Sequence, residues 1–227
     1  GLEGDRLREV DLKEFLRVVS EVFPRQKVEE GERSYEECLR HRKMWDNLHR
    51  VDEESVRTIV VPFLNKWRCR LPYKCAPRLS KVLQDAEELI RPLRGLDIER
   101  ADLLAPVNVR GRRLRTLTLV EKVFDSIQRV KAGRRTVGFT ASSKILHMSV
   151  PNFFVMSDQK IRKEYGCEAN AAGYANFMFR MSLLARDLIS QAHGDKEMIL
   201  NCSKWRGRTF ARLFDNFNYT KYTLGKA

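Results

Sequence analysis

The chain has 227 residues, 43% of them apolar, with only seven prolines and twelve glycines. That is material for one large domain or two apposed lobes, and it excludes a disordered or fibrous chain. Forty-three Lys and Arg against thirty Asp and Glu leave a net charge of +13, which favours a polyanionic partner. A surface dense in ion pairs would also use 32% charged residues, but such networks need no excess of one sign. No run approaches the length of a membrane span and no signal-peptide core stands near the N-terminus, so a soluble cytoplasmic protein is expected. Cys38, Cys69, Cys75, Cys167 and Cys202 include no Cys-x-x-Cys pair and read as buried or incidental thiols.

Helical periodicity runs through the chain from its start. Leu12, Phe15, Leu16, Val19, Val22 and Phe23 form one apolar stripe ended by Pro24, and an acidic link runs to Gly31. Ser34-x-x-Glu37 reads as a capping box opening a second helix with Cys38, Leu39, Trp45 and Leu48 inward. Asp52 caps a third, carrying Val56, Ile59, Val60, Phe63, Leu64 and Trp67, and Pro62 within it predicts a kink or a restart. The basic link Arg68–Ala76 leads to Pro77, placed to open a fourth helix with Leu79, Val82, Leu83, Ala86, Leu89 and Ile90 inward.

A short helix is expected around Ile98–Leu104. Pro106–Arg115 reads as an exposed basic loop, the one segment where a β-hairpin is allowed. Thr118-x-x-Glu121 looks like a second capping box before Leu119, Val120, Val123, Phe124, Ile127 and Val130. Ala171–Ala192 reads as a long helix stopped near Gly194. The tail from Lys204 mixes Arg206, Arg208 and Arg212 with Phe210, Phe214, Phe217, Tyr219 and Tyr222, and Phe210 and Phe214 are assigned to the core. The fold class is all-α, in a single unit or in lobes of about 1–105 and 106–227.

The stretch Arg134–Gly166 concentrates the signals that suggest function. A glycine turn at Val137-Gly138 feeds the apolar segment Ala141–Met148, Pro151 breaks the chain, and Phe153–Met156 carries it to Ser157-Asp158. Asp158 stands where an N-cap opens Gln159–Tyr165, with Gly166 as the stop. A glycine turn before a helix offers backbone amides and positive helix-end potential to a phosphate. Gly138, Thr140, Ser142, Ser143 and Lys144, with Arg134, Arg135, Arg112 and Arg113, are the candidate nucleic-acid contacts. Each has an ordinary alternative, a tight turn between helices or a solvated basic face. His147 is expected to be packed and hydrogen-bonded, and His41 and His49 lack metal-ligand company.

Val137-Gly138-Phe139-Thr140-Ala141-x-x-x-Ile145-Leu146, followed by Val155-x-x-Asp158 20 residues after Gly138, resembles the helix-hairpin-helix superfamily of DNA glycosylases. The match covers about thirty of 227 residues. It departs from the family where the first hairpin glycine falls on Thr136 and the lysine of bifunctional members falls on Thr140, while Lys144 lies one helical turn further on. The resemblance implies two helical lobes, duplex DNA as partner with RNA as the alternative, no cofactor or metal, and Asp158 as the catalytic carboxylate. Without an amine at Thr140 it implies hydrolytic base removal and not a Schiff base. The alternatives are a non-catalytic nucleic-acid binder of the same fold and a helical scaffold.

Overall fold

The structure is a computed structural model and describes residues 10–22, 29–203 and 207–226. The parts of the sequence reading that rest on Phe23, Pro24, the link before Glu29, and Lys204–Arg206 lie outside them. The described residues are mostly helical. In chain order the helices are α1 (Leu12–Arg17), α2 (Glu29–Leu39), α3 (Arg42–Trp45), α4 (Glu53–Ser55), α5 (Val61–Lys66) and α6 (Ala76–Ile90). After them come α7 (Thr116–Gln128), α8 (Gly138–Ser149), α9 (Gln159–Glu164), α10 (Ala171–Gln191), α11 (Lys196–Asn201) and α12 (Phe210–Asn218). None of the described helices is long and apolar enough to cross a membrane.

The apolar stripes read from the sequence point inward. Phe15, Val18 and Val19 are buried on α1 and the π turn after it, and Leu79, Leu83, Ala86 and Ile90 on α6. Leu119, Val120, Val123, Phe124 and Ile127 are buried on α7, and all belong to one continuous core. Pro62 has the expected effect. Lacking an N–H, it cannot continue an i→i−4 ladder, and the chain passes through a π turn at Val56–Val60 before resuming as α5. Asp52 caps this run, accepting a bond from the Ser55 amide at 2.7 Å.

Several boundaries differ from the sequence reading. Ser34 is not a cap, because α2 already starts at Glu29 and Ser34 is a buried residue inside it. Thr118 lies in the first turn of α7, which begins at Thr116 after an extended Arg115. A Ser/Thr-x-x-Glu pattern marks a start only where the residue before it is extended. The short helix expected around Ile98–Leu104 is a series of turns. Pro106–Arg115 is a β-hairpin, with β1 (Pro106–Val109) pairing antiparallel to β2 (Arg112–Arg115). Arg110 and Gly111 both have positive φ at its tip, as a tight two-residue turn requires.

The helix that organises the rest is α8. Every residue from Ala141 to Val150 is buried, so α8 has no solvent face beyond its first turn. Its C-terminal carbonyls are held from elsewhere in the chain. Arg42 on α3 donates to Met148 O at 2.8 Å and Ser149 O at 3.1 Å, and Arg94 donates to Ser149 O at 2.9 Å. Two guanidinium groups at a helix C-terminus satisfy orphan acceptors and complement the dipole. His147 is packed and bonded as expected. Its Nδ1–H donates to Phe154 O at 2.6 Å, and its Nε2 accepts from the Tyr35 hydroxyl at 2.9 Å. Burial first, then the nearby Arg212 charge, pushes its pKa down to about 3, so the ring is neutral.

Candidate functional site at the Asp158 helix start

Between α7 and α8 the chain forms a second, smaller hairpin that sequence alternation did not signal. Strand β3 (Lys131–Ala132) pairs antiparallel with β4 (Arg135–Thr136) around Gly133, and Val137 N–H donates back to Val130 O at 2.9 Å. Two-residue strands are too short to show a period of two. Gly138 then opens α8 at φ +78°, and no side chain caps that helix start. Its first amides are therefore without intrahelical acceptors, the condition under which a helix start can seat an anion. A Cβ built on Gly138 would meet nothing within 4 Å, so only the backbone conformation demands glycine there. We expect Gly138→Val to cost about 1–3 kcal/mol through strain and to weaken duplex binding, because the new side chain projects into the approach to the amides. Thermal unfolding with a binding isotherm checks this, and wild-type affinity in a folded variant would remove the seat.

Arg134 and Arg135 are exposed on this hairpin, and Arg135 also donates to Cys69 O at 3.2 Å. The hairpin leans on a loop that the sequence reading treated only as a basic link. Arg68 and Arg70 there are exposed and both adopt positive φ, 62° and 54°. Asn65 pins the loop by bonding both the N–H and the carbonyl of Leu71, at 2.6 and 2.9 Å. Non-glycine residues in the left-handed region are sustained only where the surroundings over-determine them. The two loops meet at the Arg135–Cys69 bond, and Arg68, Arg70, Arg134 and Arg135 are all exposed on them.

Ser142, Ser143 and Lys144 do not face that surface. The Ser142 hydroxyl donates to Gly138 O at 2.7 Å, one turn back. The Ser143 hydroxyl lies 2.9 Å from Ser157 O and accepts the Ser157 N–H at 3.0 Å. Both serines are fully buried, so they position the backbone and do not reach a phosphate. Ser143 has a specific role in consequence. It clamps the residue before Asp158 to α8 and so fixes the carboxylate relative to the hairpin.

Asp158 is the N-cap of α9, as its sequence position implied. Its Oδ1 accepts from Lys160 N at 2.8 Å and Ile161 N at 2.9 Å. Its Oδ2 accepts from the Thr223 hydroxyl at 2.6 Å, while Lys160 Nζ donates to Thr223 O at 2.9 Å. The carboxylate is half-buried and held at three points, two on its own helix start and one on the distant Thr223.

Lys144 is the residue whose setting the sequence did not foretell. It is 7% exposed, and its ammonium stands over the Trp67 ring at 4.6 Å from the centroid. Burial lowers its pKa, and the Cys69 sulfur and the Asp158 carboxylate oppose that fall in part. No hydrogen bond or ion pair to a described residue holds it. Cys69 and Tyr219 lie at the edge of the same cluster, both half-buried and both with pKa values raised by burial. Lys144 is thus a buried amine over an aromatic face, with its pKa lowered by burial.

Behind the amine lies a charge network from α2 and α12. Fully buried Arg212 pairs with Glu32 and Asp215, and its guanidinium stacks on Tyr35 at 4.4 Å and Trp67 at 5.5 Å. Arg208 pairs with Glu32 at 2.8 Å and Glu36 at 3.1 Å. The sequence reading gave the tail arginines no role, and Arg212 is 0% exposed. Its spacing to Asp215 and Tyr219 is a polar stripe that could have been noticed.

Arg112 and Arg113 are not part of this cluster. They sit on β2, at the start of α7, whereas the Gly138 hairpin follows its end. Thirteen residues of helix separate the two hairpins by about 20 Å. Arg110 at the first hairpin's tip is paired with Glu88, while Arg112 and Arg113 are exposed and make no ion pair with a described residue. A duplex crossing both ends of α7 would meet them. On such a duplex, replacing both with Ala is expected to flatten the log–log salt slope of binding by about one per lost phosphate contact. An unchanged slope would confine the footprint to the Gly138 end.

No protein-family model, curated protein or solved structure matches the chain. Among the described residues, no group of three or more His, Cys, Asp or Glu could hold a metal ion.

Proposed function

We propose that the chain binds duplex DNA through the Gly138 hairpin and removes a base from it, with Asp158 and Lys144 as the reacting pair. One observation carries the reading. Ser143 fixes the residue before Asp158 against α8, the glycine-opened helix that also carries the buried Lys144. The resemblance to helix-hairpin-helix glycosylases, read on the same residues, supports it, as does the net charge of +13.

The route differs from the hydrolytic one expected from Thr140. The amine comes from the next turn of the helix, at Lys144. In its neutral form it attacks C1′ of the sugar, the glycosidic bond breaks, and its electron pair leaves with the base, which takes up a proton. The Asp158 carboxylate stabilises the positive charge that develops on the sugar. One amine proton passes to the departing base and the second to the ring oxygen as the sugar opens, leaving an imine that borohydride reduces to a stable adduct.

A second reading is favoured by one feature, the complete engagement of Asp158 as cap and Thr223 acceptor. In that reading the chain binds nucleic acid and does no chemistry. Duplex binding that weakens with salt is common to both readings, and release of a base separates them.

A further inference from the structure

To act on a sugar, Asp158 needs an open oxygen, and in the structure both of its oxygens are taken. Oδ1 is committed to the two α9 amides, and Oδ2 accepts from the Thr223 hydroxyl at 2.6 Å. Lys160 holds the same threonine a second time, donating to its carbonyl at 2.9 Å. Thr223 closes the π turn Tyr219–Thr223 that follows α12. Burial changes abruptly at that junction. Every residue of α12 is buried, whereas Tyr219, Lys221, Tyr222, Thr223 and Leu224 are half-buried. Segments with few buried contacts open locally at a far lower cost than the core beside them. The ties of the turn differ in the same way. At its base, buried Asn218 accepts from the Tyr165 hydroxyl at 2.8 Å, which fastens the far end of α9 to α12. Further along, Lys221 pairs with Glu14 at 2.5 Å and Thr223 is held by Asp158 and the exposed Lys160. The Tyr222 ring, edge-on to Tyr165 at 5.6 Å, gives the closed position its apolar hold.

We propose that Tyr219–Thr223 is a strap that closes Asp158 in the free protein and is released from it by bound duplex. The strap regulates the site of the base-removal reading, on which its role rests. Lys160 is the switch. Its ammonium is exposed and spent on a neutral carbonyl, whereas a phosphate is a charged and therefore stronger acceptor. Helix α9 lies beside the start of α8, because Ser157 is bonded to Ser143 and Arg162 stands over Phe139, the residue after Gly138, at 5.9 Å. A duplex docked at the Gly138 end thus draws Lys160 away from Thr223. That difference in contacts between the closed and open forms is what a ligand needs to shift their populations. Thr223 is then left with its bond to Asp158 alone, and Oδ2 is freed as the strap swings about Tyr219. Asp158 keeps its Oδ1 bonds to Lys160 N and Ile161 N, so α9 stays capped when the site opens.

The test follows amide hydrogen exchange of the full chain by mass spectrometry, free and with saturating undamaged duplex, alongside base release from damaged duplexes. The amides of Leu224 and Lys226 report the turn, since they donate to Tyr219 O and Thr220 O at 2.9 and 3.1 Å. With duplex bound they are expected to exchange at least about tenfold faster, while the amides of α12 keep their protection. Thr223→Val keeps the branched shape and removes the hydroxyl donor. It is expected to speed the same exchange in the free protein and to raise base release by about tenfold, as loss of one hydrogen bond to a charged group implies. Protection of the turn that holds or rises on duplex binding overturns the strap. Where base is released, a Thr223→Val variant no faster than the wild type also overturns it, because the threonine then serves to position Asp158. Faster exchange with duplex but no base release by either protein supports the strap and counts against base removal alone. Base release with the turn still protected does the reverse, and a chain that binds no duplex loses both.

Discussion

Lys144→Met is expected to abolish the borohydride-trapped adduct and to lower base release by at least about 1000-fold, as removal of a covalent nucleophile does. The same substitution should make the protein more stable at neutral pH. The sign follows from burial. The folded-state pKa of Lys144 lies below its ordinary value of 10.5, so between the two values the unfolded chain holds a proton that the folded chain lacks. Wild-type stability therefore rises with pH through that window, and the cost of burying the ammonium is fully felt below it. Methionine carries no such cost, so its advantage is greatest at low pH and shrinks as the pH approaches 10.5. A lysine serving only the fold through its cation–π contact with Trp67 would behave in the opposite way. Its loss would lower Tm and leave any base release intact. Thermal unfolding across pH and single-turnover release together separate the two.

Asp158→Asn is expected to reduce base release by at least about 100-fold while the fold is barely disturbed. Asparagine caps a helix about as well as aspartate, so the stability change should be no more than about 1 kcal/mol. Its side-chain oxygen can still accept from the Lys160 and Ile161 amides. What it lacks is the charge that opposes the fall in the Lys144 pKa and that would face a cationic sugar. DNA affinity should hold or rise, because a negative charge beside the phosphate seat has been removed. A variant as active as the wild type would reduce Asp158 to the cap that it demonstrably is. The pH profile is a further readout, since loss of the carboxylate lets the amine pKa fall further and shifts the ascending limb of release to lower pH.

The parts legible in the sequence were those governed by local rules. Gly138 with its positive φ, the break at Pro151, the Asp158 cap and the Gly166 stop depend on neighbouring residues, and all are found where residue type placed them. Apolar stripes on α6 and α7 pointed inward for the same reason. Lys144 shows where that reasoning fails. Ser142-Ser143-Lys144 reads as a polar, exposed turn of helix, and the reading holds only for a helix at a surface. Because α8 is enclosed along its length from Ala141, polarity does not mark a solvent face there. The partners that make Lys144 distinctive, Trp67 and Arg212, lie far from it along the chain and come together only in the fold. Position relative to Gly138 puts Thr140 where the lysine of bifunctional members would fall, and Lys144, one turn further on, is buried against Trp67.

The most direct test takes the wild-type chain and a panel of duplexes, each carrying a single oxidised, deaminated or alkylated base. Parallel incubations are treated with alkali to cut at any abasic site and with borohydride to trap an imine, and adducts are mapped by mass spectrometry. The expected result is release of at least one lesion base, with the adduct on Lys144. Duplexes that are bound in a salt-dependent manner but yield neither cleavage nor adduct across the panel would contradict the account.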